Sequence, residues 1–108
     1  NHAKILILGI TFKENCPDIR NSRVIDVINE LQDFGADISI YDPWADAKEV
    51  QREYNIRVIK KSAINIKEYV GVVLAVAHDE FKEMDLRLSE EQVMYDIKSM
   101  LTMADGTL

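Results

Sequence analysis

The chain has few of the residues that build disulfide frameworks or metal sites. Its 108 residues include one cysteine, Cys16, and two histidines. A single cysteine excludes an internal disulfide, and one cysteine with two histidines is too few for a structural zinc set, so we predict no metal. This cysteine usage predicts a reducing, cytoplasmic setting.

Long apolar runs and an excess of positive charge are also missing. The longest apolar run, Val70 to Ala77, is far too short to span a bilayer. The net charge is −6, whereas binding nucleic acid requires an excess of Lys and Arg to neutralise phosphates. We therefore expect neither a membrane nor a nucleic-acid partner. A small anion is still permitted, because a nucleotide site needs only a few convergent donors.

What the chain does contain is an alternation of buried-strand and helix patterns typical of one α/β domain. Apolar runs predict strands at residues 4–8, 37–41, 71–77 and 92–97, with a short one at 57–59. Helical spacing predicts a helix at 24–34, with Asn21 or Ser22 as its cap and Gly35 as its end. It predicts a second helix at 45–54. A one-turn helix capped by Ser89 is predicted before the last strand. Right-handed crossovers then give a doubly wound, mainly parallel sheet of about five strands with helices on both faces.

The connection after the first strand is the candidate functional site. It reads GITFKENCPDIRNS from residue 9 to residue 22, whereas a strand-to-helix connection in such folds usually takes two to six residues. Ligands bind beyond the carboxyl ends of parallel strands, which is where this loop lies. The dinucleotide fingerprint GxGxxG is absent after Gly9, so a pyrophosphate held on a tight glycine turn is not expected.

Three side chains of this loop suit a nucleotide. Phe12 offers an aromatic face, Lys13 a mobile ammonium and Arg20 a rigid guanidinium fork. The residues alone leave structural alternatives open, because Phe12 can belong to the core and Asp18 can pair with Arg20.

Four other residues invite functional interpretations, and for three of them we favour a structural one. Cys16 has no histidine near it in sequence and is predicted to be structural. Asp42 precedes a proline and is predicted to cap a helix rather than bind a ribose. His78 is predicted to serve a turn or cap rather than act as a general base. Trp44 can stack on a base or pack against another domain.

Four segments together resemble a known family. GITFKENCPDIRNS, RVIDVINELQDFGADISIYDP, AVAHDEF and MYDIKSML are similar to the C-terminal, UDP-sugar-binding domain of the UDP-glucose/GDP-mannose dehydrogenase family. The loop is more similar to the branch that oxidises UDP-N-acetylhexosamines. The resemblance implies a Rossmann-like domain over residues 3–108, with residues 1–2 as linker or added residues, and it implies a longer enzyme.

In that enzyme, NAD accepts the electrons in a two-step oxidation of a sugar C6 alcohol to a carboxylate, for capsule or lipopolysaccharide synthesis. The resemblance places NAD mainly on an upstream domain and the catalytic cysteine upstream of this segment, so no catalytic residue is expected here and the chain alone should be inactive. Its implied partners are a UDP-sugar, the upstream NAD-binding and central domains, and further copies in a homo-oligomer. The alternative function is a non-catalytic, flavodoxin-like interaction or dimerisation module.

The resemblance also implies residue roles. Phe12 and Lys13 match residues that contact the UDP-sugar, and Arg20 matches one that reaches across the domain interface to NAD. Lys98 falls near a basic residue that contacts the substrate from a second subunit. Arginine is common at or next to that position in UDP-glucose enzymes, whereas DIKSML has lysine followed by serine.

Overall fold

The computed structural model describes residues 3–20, 22–84 and 92–96 of the chain. Its strands are β1 (Lys4–Leu8), β2 (Asp37–Tyr41), β3 (Gly71–Leu74) and β4 (Val93–Asp96). Its helices are α1 (Val24–Asp33), α2 (Ala47–Tyr54) and α3 (Asp79–Glu83), with 3-10 turns at Lys61–Ala63 and Ile66–Glu68. The strands form one parallel sheet in the order β2-β1-β3-β4. The predicted doubly wound α/β fold is confirmed.

The sheet has four strands in the described ranges rather than about five. The strand expected at 57–59 is reduced to a single parallel bridge between Val58 and Ile40, with the N–H of Ile59 donating to the carbonyl of Ile40 at 2.8 Å. Asn55, in the left-handed conformation with φ of 55°, ends α2, and the first 3-10 turn begins shortly afterwards. Too little chain remains between them for a longer ladder, although Val58 occupies the fifth-strand position beyond β2.

β3 ends at Leu74, so the predicted extent to Ala77 is wrong. The carbonyl of Leu8 accepts from the N–H groups of both Ala75 and Val76, at 2.9 and 3.2 Å, which interrupts the ladder. The chain then passes against Gly9, where an added Cβ would lie 2.7 Å from the Cβ of Val76. Gly9 also has a φ of +98°, so this close crossing requires glycine.

The two faces of the sheet are covered by different elements. One face packs against α1 and α2, with a core that includes Ile7, Ile40, Val73, Ile28 and Val50. The other packs against α3 and the segment of the 3-10 turns, with a core that includes Leu6, Leu8, Val72, Tyr69 and Phe81. The expected cover on both faces is therefore present, and β1 is buried between the two layers.

The carboxyl end of α1 follows the sequence signal, but its amino end does not. The N-cap is Arg23, which makes no side-chain cap bond, so the prediction of Ser22 as the cap is wrong. The hydroxyl of Ser22 accepts from the N–H of Val24 at 3.3 Å in the turn before the helix, and residue 21, the other predicted cap, lies outside the described residues. At the carboxyl end Gly35 has a φ of 89°, and the N–H of Ala36 returns to the carbonyl of Leu31 at 3.0 Å. This is the left-handed stop expected of a glycine after a helix.

The prediction of the last strand is tested only in part. The last strand, expected at 92–97, is observed as β4, while Ile97, the cap Ser89 and the candidate contact Lys98 lie outside the described residues. In the described part of the chain no helix is long and apolar enough to cross a membrane.

Candidate functional site

The order of the strands reverses between β1 and β3. From β1 the chain moves outward to β2 and the Val58 bridge, and then returns to β3 on the other side of β1. The connections that follow β1 and β3 therefore leave the carboxyl edge of the sheet beside each other. Doubly wound sheets bind ligands at this switch point, and the loop at residues 9–20 begins there.

A buried carboxylate after β2 holds the start of this loop. Asp42 Oδ2 accepts from the N–H groups of Ile10 at 2.7 Å and Thr11 at 3.2 Å. Its Oδ1 accepts from the N–H groups of Trp44 at 2.7 Å and Ala45 at 3.0 Å. The side chain is fully buried, and these donors compensate for the loss of water around its charge. Asp42 thus fastens the loop to the turn before α2.

This arrangement corrects the predicted helix start and cap. The N-cap of α2 is Asp46, whose carboxylate accepts from the N–H groups of Lys48 and Glu49 at 2.9 and 3.3 Å. Asp42 binds the turn that precedes the helix instead, so α2 starts at Ala47 rather than residue 45.

His78, just after β3, is the second buried polar group. Its Nε2 lies 2.9 Å from Asp42 Oδ2 and 3.1 Å from the hydroxyl of Thr11, and its Nδ1 accepts from the N–H of Asn15 at 2.8 Å. Because Nδ1 accepts, the ring proton lies on Nε2 and is donated toward Asp42. The backbone of His78 is at the N-cap of α3, but its side chain makes no cap bond. His78 therefore lies at the predicted cap position, while its side chain binds the loop instead of the helix end.

Aromatic rings surround the imidazole. Trp44 stacks on His78 with ring centroids 6.3 Å apart and an interplanar angle of 27°, while 45% of Trp44 remains exposed. Phe81 meets the His78 ring edge-on at 5.5 Å. Trp44 therefore packs within its own domain.

Next to this cluster, the Tyr41 hydroxyl donates to the Glu80 carboxylate. Burial, and then this hydrogen bond to an anion, raise the pKa of Tyr41 above its ordinary value. Tyr41 also meets Phe81 edge-on at 6.1 Å. The phenol is thus part of the buried side of the site.

The far end of the loop is also fixed. The N–H of Phe12 donates to the carbonyl of Asp18 at 2.7 Å and closes the loop. Ile19 is buried in the core, and its carbonyl accepts from the hydroxyl of Tyr54 at 2.6 Å. At the tip, Asn15 has a φ of 55°, a conformation that asparagine tolerates better than most residues.

The structure places Phe12 and Lys13 on the outer side of this fixed loop. Phe12 is 56% exposed, so the alternative that it belongs to the core is wrong. Lys13 is exposed as well, and its ammonium has no ion pair with any residue in the described ranges.

Arg20 pairs with Asp18, as the local alternative predicted. Its Nε lies 3.0 Å from Oδ1 and its Nη2 3.2 Å from Oδ2. The bidentate hydrogen bonds from Arg20 hold the pKa of Asp18 below its usual value. A guanidinium has five N–H donors, and Asp18 takes two of them. The other three remain available to a second anion, because the side chain is 83% exposed.

Cys16 is a free, half-buried thiol. Both ring nitrogens of His78 are engaged, by Asn15 on one side and by Asp42 and Thr11 on the other. This histidine therefore has no free nitrogen with which to act as a base toward a thiol. Elsewhere in the described ranges, no group of His, Cys, Asp and Glu is arranged to hold a metal ion.

Sequence reasoning missed the network of Asp42, His78, Thr11 and Asn15. Three of its members share one sequence signal, since each follows the carboxyl end of a different strand. Because the carboxyl ends of parallel strands meet at one edge of the sheet, that shared position could have predicted their contact.

The fold and the exposed, cation-bearing loop at the switch point define an α/β domain of the nucleotide-binding class. A model of the UDP-glucose/GDP-mannose dehydrogenase family, UDP binding domain, matches residues 6–103. The chain therefore belongs to this family, as its motifs indicated.

Relatives agree with this assignment, and solved structures agree with the fold. The chain is 47% identical to a UDP-N-acetyl-D-glucosamine 6-dehydrogenase of Salmonella typhi, and 40% identical to one of Pseudomonas aeruginosa, over 92% of its length in each case. It spans only 24% of either relative, about a quarter. A UDP-glucose dehydrogenase structure from Pyrobaculum islandicum superposes with a TM-score of 0.73 at 23% identity, covering 89% of this chain and 22% of that one. The structure of the UDP-N-acetyl-mannosamine dehydrogenase Cap5O of Staphylococcus aureus superposes with a TM-score of 0.64 at 19% identity, covering 97% of this chain and 28% of that one.

Proposed function

We propose that this chain is the UDP-sugar-binding domain of a cytoplasmic, NAD-dependent nucleotide-sugar 6-dehydrogenase. The enzyme oxidises the C6 alcohol of a UDP-N-acetylhexosamine to a carboxylate, giving a uronic acid for capsule or lipopolysaccharide synthesis. The observation that carries the proposal is Lys13, an exposed ammonium without an ion pair in the described ranges, on a fixed loop at the switch point. The names of the two relatives above support the choice of sugar class.

Lys13 and Phe12 divide the recognition of the nucleotide. The Lys13 ammonium binds the diphosphate, with each charge-assisted hydrogen bond contributing about 1.5–3 kcal/mol. The exposed ring of Phe12 offers an apolar face to the uridine. Because the loop backbone is already fixed by its bond from Phe12 to Asp18, binding loses less conformational entropy than it would on a mobile loop.

Arg20 suits an anion held mainly by another domain. Asp18 orients the guanidinium from one side, and the three remaining N–H donors suit the pyrophosphate of NAD bound by the upstream domain. NAD supplies the hydride acceptor for the oxidation, while this chain binds and orients. Lys98 stays a predicted contact to the substrate of a second subunit in a homo-oligomer.

The first test is calorimetric titration of this chain with UDP. We expect weak binding that falls with added salt, and that Lys13→Glu abolishes. Lys67→Glu is the matched control, since it makes the same charge change on an exposed residue just before the amino end of β3. An unchanged isotherm for Lys13→Glu would contradict the assignment of Lys13 to the site. An equal loss of UDP affinity in both variants would show that the effect comes from the net charge of the chain.

The second test uses the complete enzyme with NAD and a panel of UDP-sugars, and it follows the appearance of NADH. We expect turnover with a UDP-N-acetylhexosamine, and a raised NAD requirement in Arg20→Ala. An unaffected NAD dependence would remove Arg20 from the cofactor site. If no nucleotide sugar is oxidised, the proposed activity is wrong.

A further inference from the structure

We propose that His78 is a positioning residue, whose neutral ring in the Nε2–H tautomer holds the loop backbone around Lys13 in its binding conformation. The consequence for UDP rests on the proposed function, whereas the holding of the loop does not.

Lys13 lies between two residues that both contact the imidazole. On one side, the hydroxyl of Thr11 lies 3.1 Å from Nε2 and donates to the carbonyl of Lys13 at 3.0 Å. On the other side, the N–H of Asn15 donates to Nδ1 at 2.8 Å. The Lys13 backbone is therefore fixed from both directions by one ring.

The ring itself is held from the core. Its Nε2 lies 2.9 Å from the fully buried carboxylate of Asp42. Trp44 stacks on its face and Phe81 meets it edge-on, so the ring cannot turn without breaking packing on both sides. A continuous set of contacts thus runs from a buried carboxylate to an exposed binding loop.

Histidine is chemically suited to this position. One neutral tautomer presents a donor and an acceptor on opposite sides of a rigid ring, here toward Asp42 and Asn15. An amide side chain places its donor and acceptor on one carbon and cannot span both partners in the same way. Phenylalanine fills the same space but offers neither bond.

The Asn15 side chain adds a second bond from the loop to the start of α3. Its Oδ1 accepts from the N–H of Asp79 at 3.0 Å, the residue that follows His78. Both the backbone and the side chain of Asn15 are therefore attached to the segment after β3. The loop after β1 and the loop after β3 act as one unit.

The proposal is tested first by NMR on the unmodified chain. Nitrogen-15 spectra of the imidazole should show the Nε2–H tautomer, and the Asn15 amide should exchange slowly with solvent although the residue is exposed. An Nδ1–H tautomer, or rapid exchange of that amide, would overturn the proposal whether or not the chain binds UDP.

The second test is His78→Phe, which keeps a ring between Trp44 and Phe81. We expect the Asn15 amide to exchange roughly tenfold faster and UDP binding to weaken about tenfold, the equivalent of one lost hydrogen bond. In the complete enzyme the KM for the UDP-sugar should rise while kcat changes little, since the loss affects ground state and transition state alike. A fall in kcat with unchanged KM would contradict a positioning role.

Two companion variants keep the test decisive. Ile28→Val destabilises α1 at a fully buried position outside the set of residues that bond His78 and Asn15, so it should leave Asn15 exchange and UDP affinity unchanged. Asn15→Gly accepts the positive φ and keeps the N–H, but it loses the bond to Asp79, so it should weaken UDP binding even if His78→Phe does not fold.

The two hypotheses can fail separately. If the unmodified chain shows the Nε2–H tautomer but does not bind UDP, the proposed function alone is refuted. Normal UDP binding by His78→Phe would refute the positioning role alone.

Discussion

The loop after β1 has two sides that differ in burial and in hydrogen bonding. Its inner side consists of buried groups such as Ile10 and Thr11, whose N–H groups bind a fully buried carboxylate. Its outer side presents Phe12, Lys13 and Arg20 to solvent. The inner side therefore contributes contacts to the core of the domain, while the side chains of the outer side are accessible from solvent.

The largest loss of stability is expected for Asp42→Ala on the inner side. The change leaves four backbone N–H groups and the His78 ring without their acceptor, so we expect a loss of about 3–5 kcal/mol in the free energy of unfolding. Urea denaturation measures this loss in the free energy of unfolding. Asp46→Ala, which removes the exposed cap of α2, should cost only about 1 kcal/mol. Equal losses would show that the buried carboxylate has no special role.

The next largest effect is expected at the crossing beneath the loop. Gly9→Ala forces a Cβ to within 2.7–2.9 Å of three atoms of Val76, at a φ of +98°, and should cost about 2–4 kcal/mol. In Gly71→Ala, the matched control, the new Cβ would meet its nearest atoms at 3.7 and 3.9 Å. That variant should change the free energy of unfolding by less than about 1 kcal/mol. Thermal unfolding of the two variants measures the difference, and similar unfolding midpoints would contradict the steric argument.

A smaller effect with a defined pH dependence is expected at Tyr41, which lies on the buried side. Burial and the bond to Glu80 raise the pKa of its phenol above the ordinary value of 10.0. Since the folded value exceeds the unfolded one, the stabilisation is complete below about pH 10 and is lost as pH rises through the folded value. Ultraviolet titration of the chain and of Tyr41→Phe should show no tyrosinate from Tyr41 at about pH 10.5. A tyrosinate difference at that pH would contradict the burial argument.

The smallest effect should come from Arg20→Ala on the outer side. Its pair with Asp18 is exposed to solvent, so we expect no measurable change in the unfolding midpoint. The Asp18 pKa, which Arg20 now lowers, should return toward 3.8, as carbon-13 NMR of the carboxyl group can show. Since the folded value lies below the unfolded one, any contribution of the pair is present above pH 3.8 and is lost as pH falls through the folded value. A clear destabilisation near neutral pH would remove the distinction between the two sides.

The parts of the fold that were predicted correctly depend on local patterns. β1 and β2 have the predicted bounds, because short, buried apolar runs end at glycine or at Asp42 before a proline. The end of β3 was missed, since Ala75 and Val76 are as apolar as the strand itself. Their departure from the ladder depends on Leu8 and Gly9, which are distant in sequence.

The same distinction applies to the site. The position of the site was predicted from the length of the loop, whereas the exposure of Phe12 decides between two alternatives that the sequence left open. The pairing of Arg20 with Asp18 is a contact between residues two apart. His78, in contrast, contacts two residues that are distant in sequence: Asp42, 36 positions away, and Thr11, 67 positions away. Only the parallel arrangement of the strands brings these residues together, so their shared position after strand ends could reveal the contact, whereas no pattern within a single segment does.

The bond between the N–H of Phe12 and the carbonyl of Asp18 has a consequence for engineering. It closes the loop below its tip, so an exposed tip residue such as Glu14 can be replaced without changing the way the chain enters or leaves the sheet, whereas Asn15 holds the tip to His78 and Asp79. The first library to test for altered nucleotide-sugar specificity should therefore vary the exposed tip positions and keep Asn15.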